Sequence, residues 1–114
     1  MANINIYGYQ KIREFVLANW KYLEVRKPDG TVLKRFSTAD GLTITGNGST
    51  QEIEYKLVIT GDATFQGQTV GKSVLFDVAT GGTAIATEIF TSFEFSSELD
   101  SLTILHKLQV PQIV

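Results

Sequence analysis

The chain contains no cysteine, which removes disulfides, thiolate metal ligands and thiol nucleophiles together. Histidine is almost as scarce. His106 is the only one, so any imidazole-dependent catalytic dyad or zinc set has to be built around that residue. Neither charge sign dominates: ten Lys and Arg stand against twelve Asp and Glu, giving a formal net charge of −2. A nucleic-acid surface requires clustered positive charge to neutralise phosphates, so this balance argues against one. No apolar run approaches the ~20 residues that carry a helix across a bilayer. The opening Met1-Ala2-Asn3-Ile4-Asn5 lacks the charged leader and apolar stretch of a signal peptide, so secretion by that route is not expected. Position 2 is Ala2, where N-myristoylation requires Gly.

What is present fits a globular domain. Hydrophobic residues make up 43% of the 114 positions and charged residues only 19%, the reverse of a disordered composition. One domain spanning 1–114 is the expectation at this length.

Two periodicities divide the chain. Ile4-Asn5-Ile6-Tyr7 reads as a short opening strand broken by Gly8. From about residue 9 to 20, Ile12, Phe15, Val16, Asn19 and Trp20 fall at helical spacing, which predicts one helix laid on a sheet by its apolar stripe. Beyond Trp20 the period drops to two. Tyr22–Lys27 and Thr31–Phe36 flank Lys27-Pro28-Asp29-Gly30, whose residues suit a tight turn, so a hairpin is predicted there. In Gln51–Thr60 the residues Ile53, Tyr55, Leu57 and Ile59 share one face, with Val58 the apolar exception on the wet one. A loop over Gly61–Gly71 precedes a strand over Lys72–Ala79, with Val74, Phe76 and Val78 aligned. Ala84–Phe95 follows, bulged near Ile89 and Phe90, and Ser101–Val110 closes the set with Leu102, Ile104, Leu108 and Val110 inward. The predicted fold is mainly β: about seven antiparallel strands in a sandwich or small barrel, with one N-terminal helix over about 9–20.

Motifs for chemistry are thin. Gly67-Gln68-Thr69-Val70-Gly71-Lys72-Ser73 imitates a phosphate-binding loop, but only three residues separate its glycines and Lys72 opens a strand rather than a helix. Asn47-Gly48-Ser49 is a glycosylation sequon lying in a turn, and the turn explains the same residues. Asp29, Asp40, Asp62, Asp77, Glu98 and Asp100 mostly sit in predicted turns and form no calcium-loop pattern. No Gly-x-Ser-x-Gly elbow occurs. The mixed-charge stretch Lys21–Arg35, with Arg26, Lys27 and Lys34 interrupted by Glu24 and Asp29, reads as the solvated face of a hairpin. By alternation His106 lies on the apolar side of its strand, as a hydrogen-bonded core or edge residue, with a pH-responsive subunit contact as the alternative. No catalytic, cofactor-binding or metal-binding set is expected. Candidate contact residues are Tyr7 and Tyr9 around Gly8, Phe65 in the long loop, and Ile113 and Val114 in the apolar tail.

Several passages carry a resemblance. Tyr7-Gly8-Tyr9 with Ile12-Arg13, Trp20-Lys21-Tyr22-Leu23-Glu24-Val25, Phe36-Ser37-Thr38-Ala39-Asp40, Val78-Ala79-Thr80-Gly81-Gly82 and His106-Lys107-Leu108-Gln109-Val110-Pro111 resemble small proteins from the structural-gene modules of tailed bacteriophages. The likeness spans most of the chain without a diagnostic motif. It implies a non-enzymatic virion component, a capsid decoration, neck or tail protein made in the host cytoplasm. Its partners would be other virion proteins or copies of itself as a homo-oligomer, with no nucleic-acid or membrane contact and no cofactor. The rival expectation is a carbohydrate- or surface-binding sandwich using Phe65, Gln66 and Gln68.

Overall fold

A computed structural model describes residues 2–111. Its single α-helix, α1, spans Ile6–Asn19, and seven strands follow, with a 3₁₀ turn at Thr38–Asp40 between the second and third: β1 Tyr22–Arg26, β2 Val32–Phe36, β3 Thr43–Thr45, β4 Glu52–Thr60, β5 Thr69–Phe76, β6 Ala86–Glu94 and β7 Ser101–Gln109. They form two antiparallel sheets, a four-stranded one ordered β2-β1-β5-β6 and a three-stranded one ordered β3-β4-β7. The mainly β expectation is therefore met as a small open sandwich. No barrel closes, because β6 and β7, although successive, belong to different sheets.

The β1–β2 hairpin forms as its sequence dictates. Gly30 N–H donates to Lys27 O at 2.9 Å, Asp29 Oδ1 accepts from Thr31 N–H at 2.8 Å, and Gly30 takes the positive φ of 95° that an L side chain resists. In β4 the alternation is strict: Ile53, Tyr55, Leu57 and Ile59 are buried while Val58 lies in water, as read from the sequence. These four meet Leu23, Val25, Phe36, Val70 and Leu75 of the opposite sheet, and Phe65, Phe95 and Ile104 complete the core.

Other expectations need correction. The predicted opening strand 4–7 is absent; Ile6 and Tyr7 begin α1, and Gly8 sits inside it. Four N-terminal residues cannot form a lasting strand without a sheet edge to pair with, whereas α1 has a docking site. Arg13 supplies it, donating through Nε to Val110 O at 2.6 Å and through Nη1 to Gly48 O at 2.7 Å. Nor do Ile12, Phe15 and Val16 share the packed side: Val16 is buried, but Phe15 projects into water. The loop over Gly61–Gly71 ends early, since β5 already begins at Thr69, and β5 stops at Phe76, leaving Val78 exposed. The bulge in β6 is present, where Ile89 to Phe93 faces only Val70 to Lys72 across the ladder.

The charged stretch around the hairpin is the largest correction. Glu24 is buried on the outer face of its sheet, where Arg26 Nε (2.7 Å) and Arg35 Nε (2.8 Å) donate to its two oxygens. The Arg35 guanidinium lies 3.6 Å from the Phe76 ring centroid and donates through Nη1 to Val78 O and Gly81 O, both at 2.9 Å. The segment after β5 thus folds back over Arg35 and Phe76 and covers part of a face that alternation assigns to water.

Candidate interaction surface

Of the three candidate contact residues that are described, one is largely exposed. Tyr7 is 65% exposed and Tyr9 half-buried, while Phe65 is only 2% exposed. Ile113 and Val114 lie outside the described residues. Phe65 is a correction with a clear cause. Asp62 organises a tight turn, accepting from Thr64 N–H through its side chain at 3.0 Å and from Gln66 N–H through its carbonyl at 2.7 Å. That turn swings Phe65 inward against Phe36 (centroids 6.0 Å apart, stacked) and Phe95 (5.7 Å). The loop is pinned further by Gly67 N–H to Phe95 O at 2.7 Å.

Around Tyr7 the structure gathers side chains that sequence reasoning assigned elsewhere. Ile4 (51% exposed), Ile12 (38%) and Phe15 (57%) join it on or beside α1, while Ile6 (86%), at the first residue of the helix, lies on the other side. At 3.6 residues per turn, Ile4, Tyr7, Gly8, Ile12 and Phe15 fall within an arc of about 140°. Tyr9, Arg13, Val16, Leu17 and Trp20 occupy the opposite side and pack on the end of the sandwich. Tyr55 Oη donates to Trp20 O at 2.8 Å and fixes where the helix leaves off. The helix therefore carries apolar side chains on two sides, and among the described residues only one side is covered. Carried back to Tyr7, the helical wheel groups Tyr7, Phe15 and Ile12 apart from Val16, Leu17 and Trp20, and that was the legible signal. The outer face carries one ion pair, Lys11 Nζ to Glu14 Oε1 at 3.5 Å, with Lys11 also 5.2 Å from the centre of the Tyr7 ring. The Tyr7 hydroxyl first, and Glu14 second, hold the Lys11 ammonium above its ordinary pKa.

The polar interior reads differently. His106 is buried and its Nδ1 lies 2.9 Å from Ser73 Oγ, a bond that joins β7 of one sheet to β5 of the other. Tyr55 meets the imidazole edge-on at 6.2 Å. Burial pushes the His106 pKa down, with Glu88 opposing in part. A nucleophilic serine has to meet its substrate, and Ser73 is wholly buried, so this pair is a tie between sheets. The hydrogen-bonded core histidine is what the sequence predicted. The phosphate-loop imitation also resolves as strand: Lys72 and Ser73 pair with Arg26 and Val25 of β1.

Two shallow clefts run along the seam between β6 and β7. One of about 300 Å³ is lined by Phe90, Thr91 and residues 102–105. Another of about 450 Å³ is lined by Ala86, Thr87, Lys107, Leu108 and Gln109. Between them Lys107 N–H donates to Glu88 Oε2 at 3.3 Å. Neither cleft brings two ionisable side chains together. Among the described residues no three His, Cys, Asp or Glu side chains are grouped to hold a metal ion, and no helix is long and apolar enough to cross a membrane.

Compared with protein-family models, with curated proteins and with solved structures, the chain gives no match in any of the three.

Proposed function

We propose that this chain is a non-enzymatic structural protein of a tailed-bacteriophage particle, a capsid decoration, neck or tail component that works through protein–protein contacts. The observation that carries the reading is the exposed apolar side chains on the outer face of α1, a helix that Arg13 ties to the end of the sandwich. A contiguous apolar patch on a small domain marks an interaction site, because leaving it wet forgoes the free energy of burying it. The sequence resemblance to phage structural modules supplies the setting, and a balanced charge favours protein partners over nucleic acid. The glycan-binding alternative loses its aromatic platform, since Phe65 serves the core.

Mass spectrometry of gradient-purified phage particles encoding this chain tests the reading. The expected result is the chain at a copy number comparable with other structural components. Its presence in the infected-cell lysate but absence from washed particles would refute a structural role.

A further inference from the structure

The seam between β6 and β7 is bridged by Glu88, and the bridge ends one residue away from the buried imidazole. Main-chain bonding alternates along an antiparallel strand, so each residue of β7 points its N–H and C=O either to β4 or away from it. Asp100 O accepts from Gly61 N–H at 2.8 Å and Val110 N–H donates to Gln51 O at 2.9 Å, which assigns the even-numbered residues of β7 to β4. Thr103, Leu105 and Lys107 therefore turn their main-chain groups to the seam, and the Lys107 N–H bonded to Glu88 Oε2 at 3.3 Å fits that phase. A free strand edge invites wrong pairing, and an inward-pointing charge is one means of blocking it.

Glu88 is such a charge. It alternates in phase with Ala86 and Phe90, which pack on the core, and stands opposite Ser73 across the β5–β6 ladder. Ser73 Oγ lies 2.9 Å from His106 Nδ1, so Glu88, Ser73, His106 and the Lys107 amide form one polar chain across three strands. Other charges around the ring point elsewhere. Lys107 Nζ pairs with Glu52, and Glu54 and Lys56 lie on the outer face of β4. Arg26 and Glu24 pair on the outer face of the other sheet, with Lys72 opposite Arg26. Tyr55 on β4 is held neutral by burial and donates its hydroxyl to Trp20 O. Glu88 is the carboxylate that acts on the imidazole, and it opposes the burial that keeps the ring uncharged.

We propose that Glu88, Ser73 and His106 form a proton-operated clasp on this seam: protonation of His106 draws Glu88 off the Lys107 amide and bares the edge of β7. A neutral imidazole donates through one nitrogen and accepts through the other, whereas the imidazolium donates through both. Ser73 Oγ serves Nδ1, and the second N–H, buried with a full charge, requires an acceptor. A carboxylate gains more from a cationic donor than from a neutral amide, so Glu88 exchanges one partner for the other.

Amide NMR of the full chain over a pH series through 6.5 tests the clasp. The Lys107 amide proton should move upfield with the same midpoint as the imidazole resonances, below 6.5, and its protection from exchange should fall about tenfold. The Ile104 and Leu108 amides, bonded to β4, should keep their protection and so separate local release from unfolding. Glu88→Gln should abolish the Lys107 movement, because a neutral side chain is not drawn to the imidazolium. It should also shift the imidazole midpoint to lower pH by removing the opposing charge. His106→Gln should leave the Lys107 resonance flat over the same range. A Lys107 amide that ignores the imidazole titration would overturn the clasp. So would a movement that persists in His106→Gln, which assigns it to direct protonation of Glu88, or a joint loss of protection at Leu108, which means that the sheet itself unfolds.

Discussion

Glu24 offers the sharpest test of how the sheet's outer face is built. Its side chain is 6% exposed, against 11% for Arg35 and 25% for Arg26, so both ion pairs are substantially desolvated. Replacing Glu24 by Ala leaves the Arg35 guanidinium beside Phe76 with no counter-charge, though still bonded to Val78 O and Gly81 O. Removing one partner of a buried pair costs about 3–5 kcal/mol, and the partial exposure of Arg26 places this case near about 3 kcal/mol. For a domain of this size that lowers the midpoint of thermal unfolding by about 12 °C. Removing both sides of the pair is a different perturbation: Glu24→Leu with Arg35→Met replaces buried charge by apolar volume and should be milder than Glu24→Ala alone. Urea titrations with an unchanged m-value, alongside circular-dichroism melts, measure both variants. A loss under about 1 kcal/mol for Glu24→Ala would equate the cluster with an ordinary surface ion pair and refute the reasoning.

Two further outcomes follow from burial. His106 is held neutral in the folded chain below its ordinary value of 6.5, so the unfolded chain binds the proton more readily. Its contribution to stability is present above pH 6.5 and is lost as pH falls through the lower folded value; stability measured by urea unfolding should slope downward there, and His106→Gln should flatten that slope. Phe65→Ala should cost about 3–5 kcal/mol through the cavity it opens between Phe36 and Phe95. Tyr7→Ser should stay within about 0.5 kcal/mol, and equal effects from the two in thermal melts would contradict their placement.

The strands were legible wherever one face meets the core and the other meets water. In β4, Glu52, Lys56 and Thr60 alternate with buried apolar residues, and period two leaves a single solution. The β1–β2 turn was equally plain, since Pro28, Asp29 and Gly30 each suit one turn position. Legibility failed where a second layer intervenes. Glu24, Arg26 and Arg35 look like wet-face charges until Arg35 is capped by the segment after β5 and gathers with Arg26 on Glu24, and nothing local in β1 or β2 announces a cap that arrives about forty residues later. Phe65 was misplaced because its neighbours are polar, and the turn that turns it inward depends on the Asp62 side chain. On α1 the residue types were right and the phase was not. Placing Ile12, Phe15, Val16 and Trp20 on one stripe merged two sides of the helix into one, and the outer side went unseen.

The Arg13 clamp also gives the domain a polarity that bears on how it can be handled. By gripping Gly48 and Val110 together, it collects α1, the β3–β4 turn and the end of β7 at one pole. The β1–β2 turn, the Gly61 bend and the β6–β7 connection, where Leu99 stands out into solvent, gather at the other. A fluorophore or affinity handle inserted after Val110 would crowd the helix it is meant to report on. The same probe inserted at Asp29 or beside Leu99 would leave that helix unobstructed.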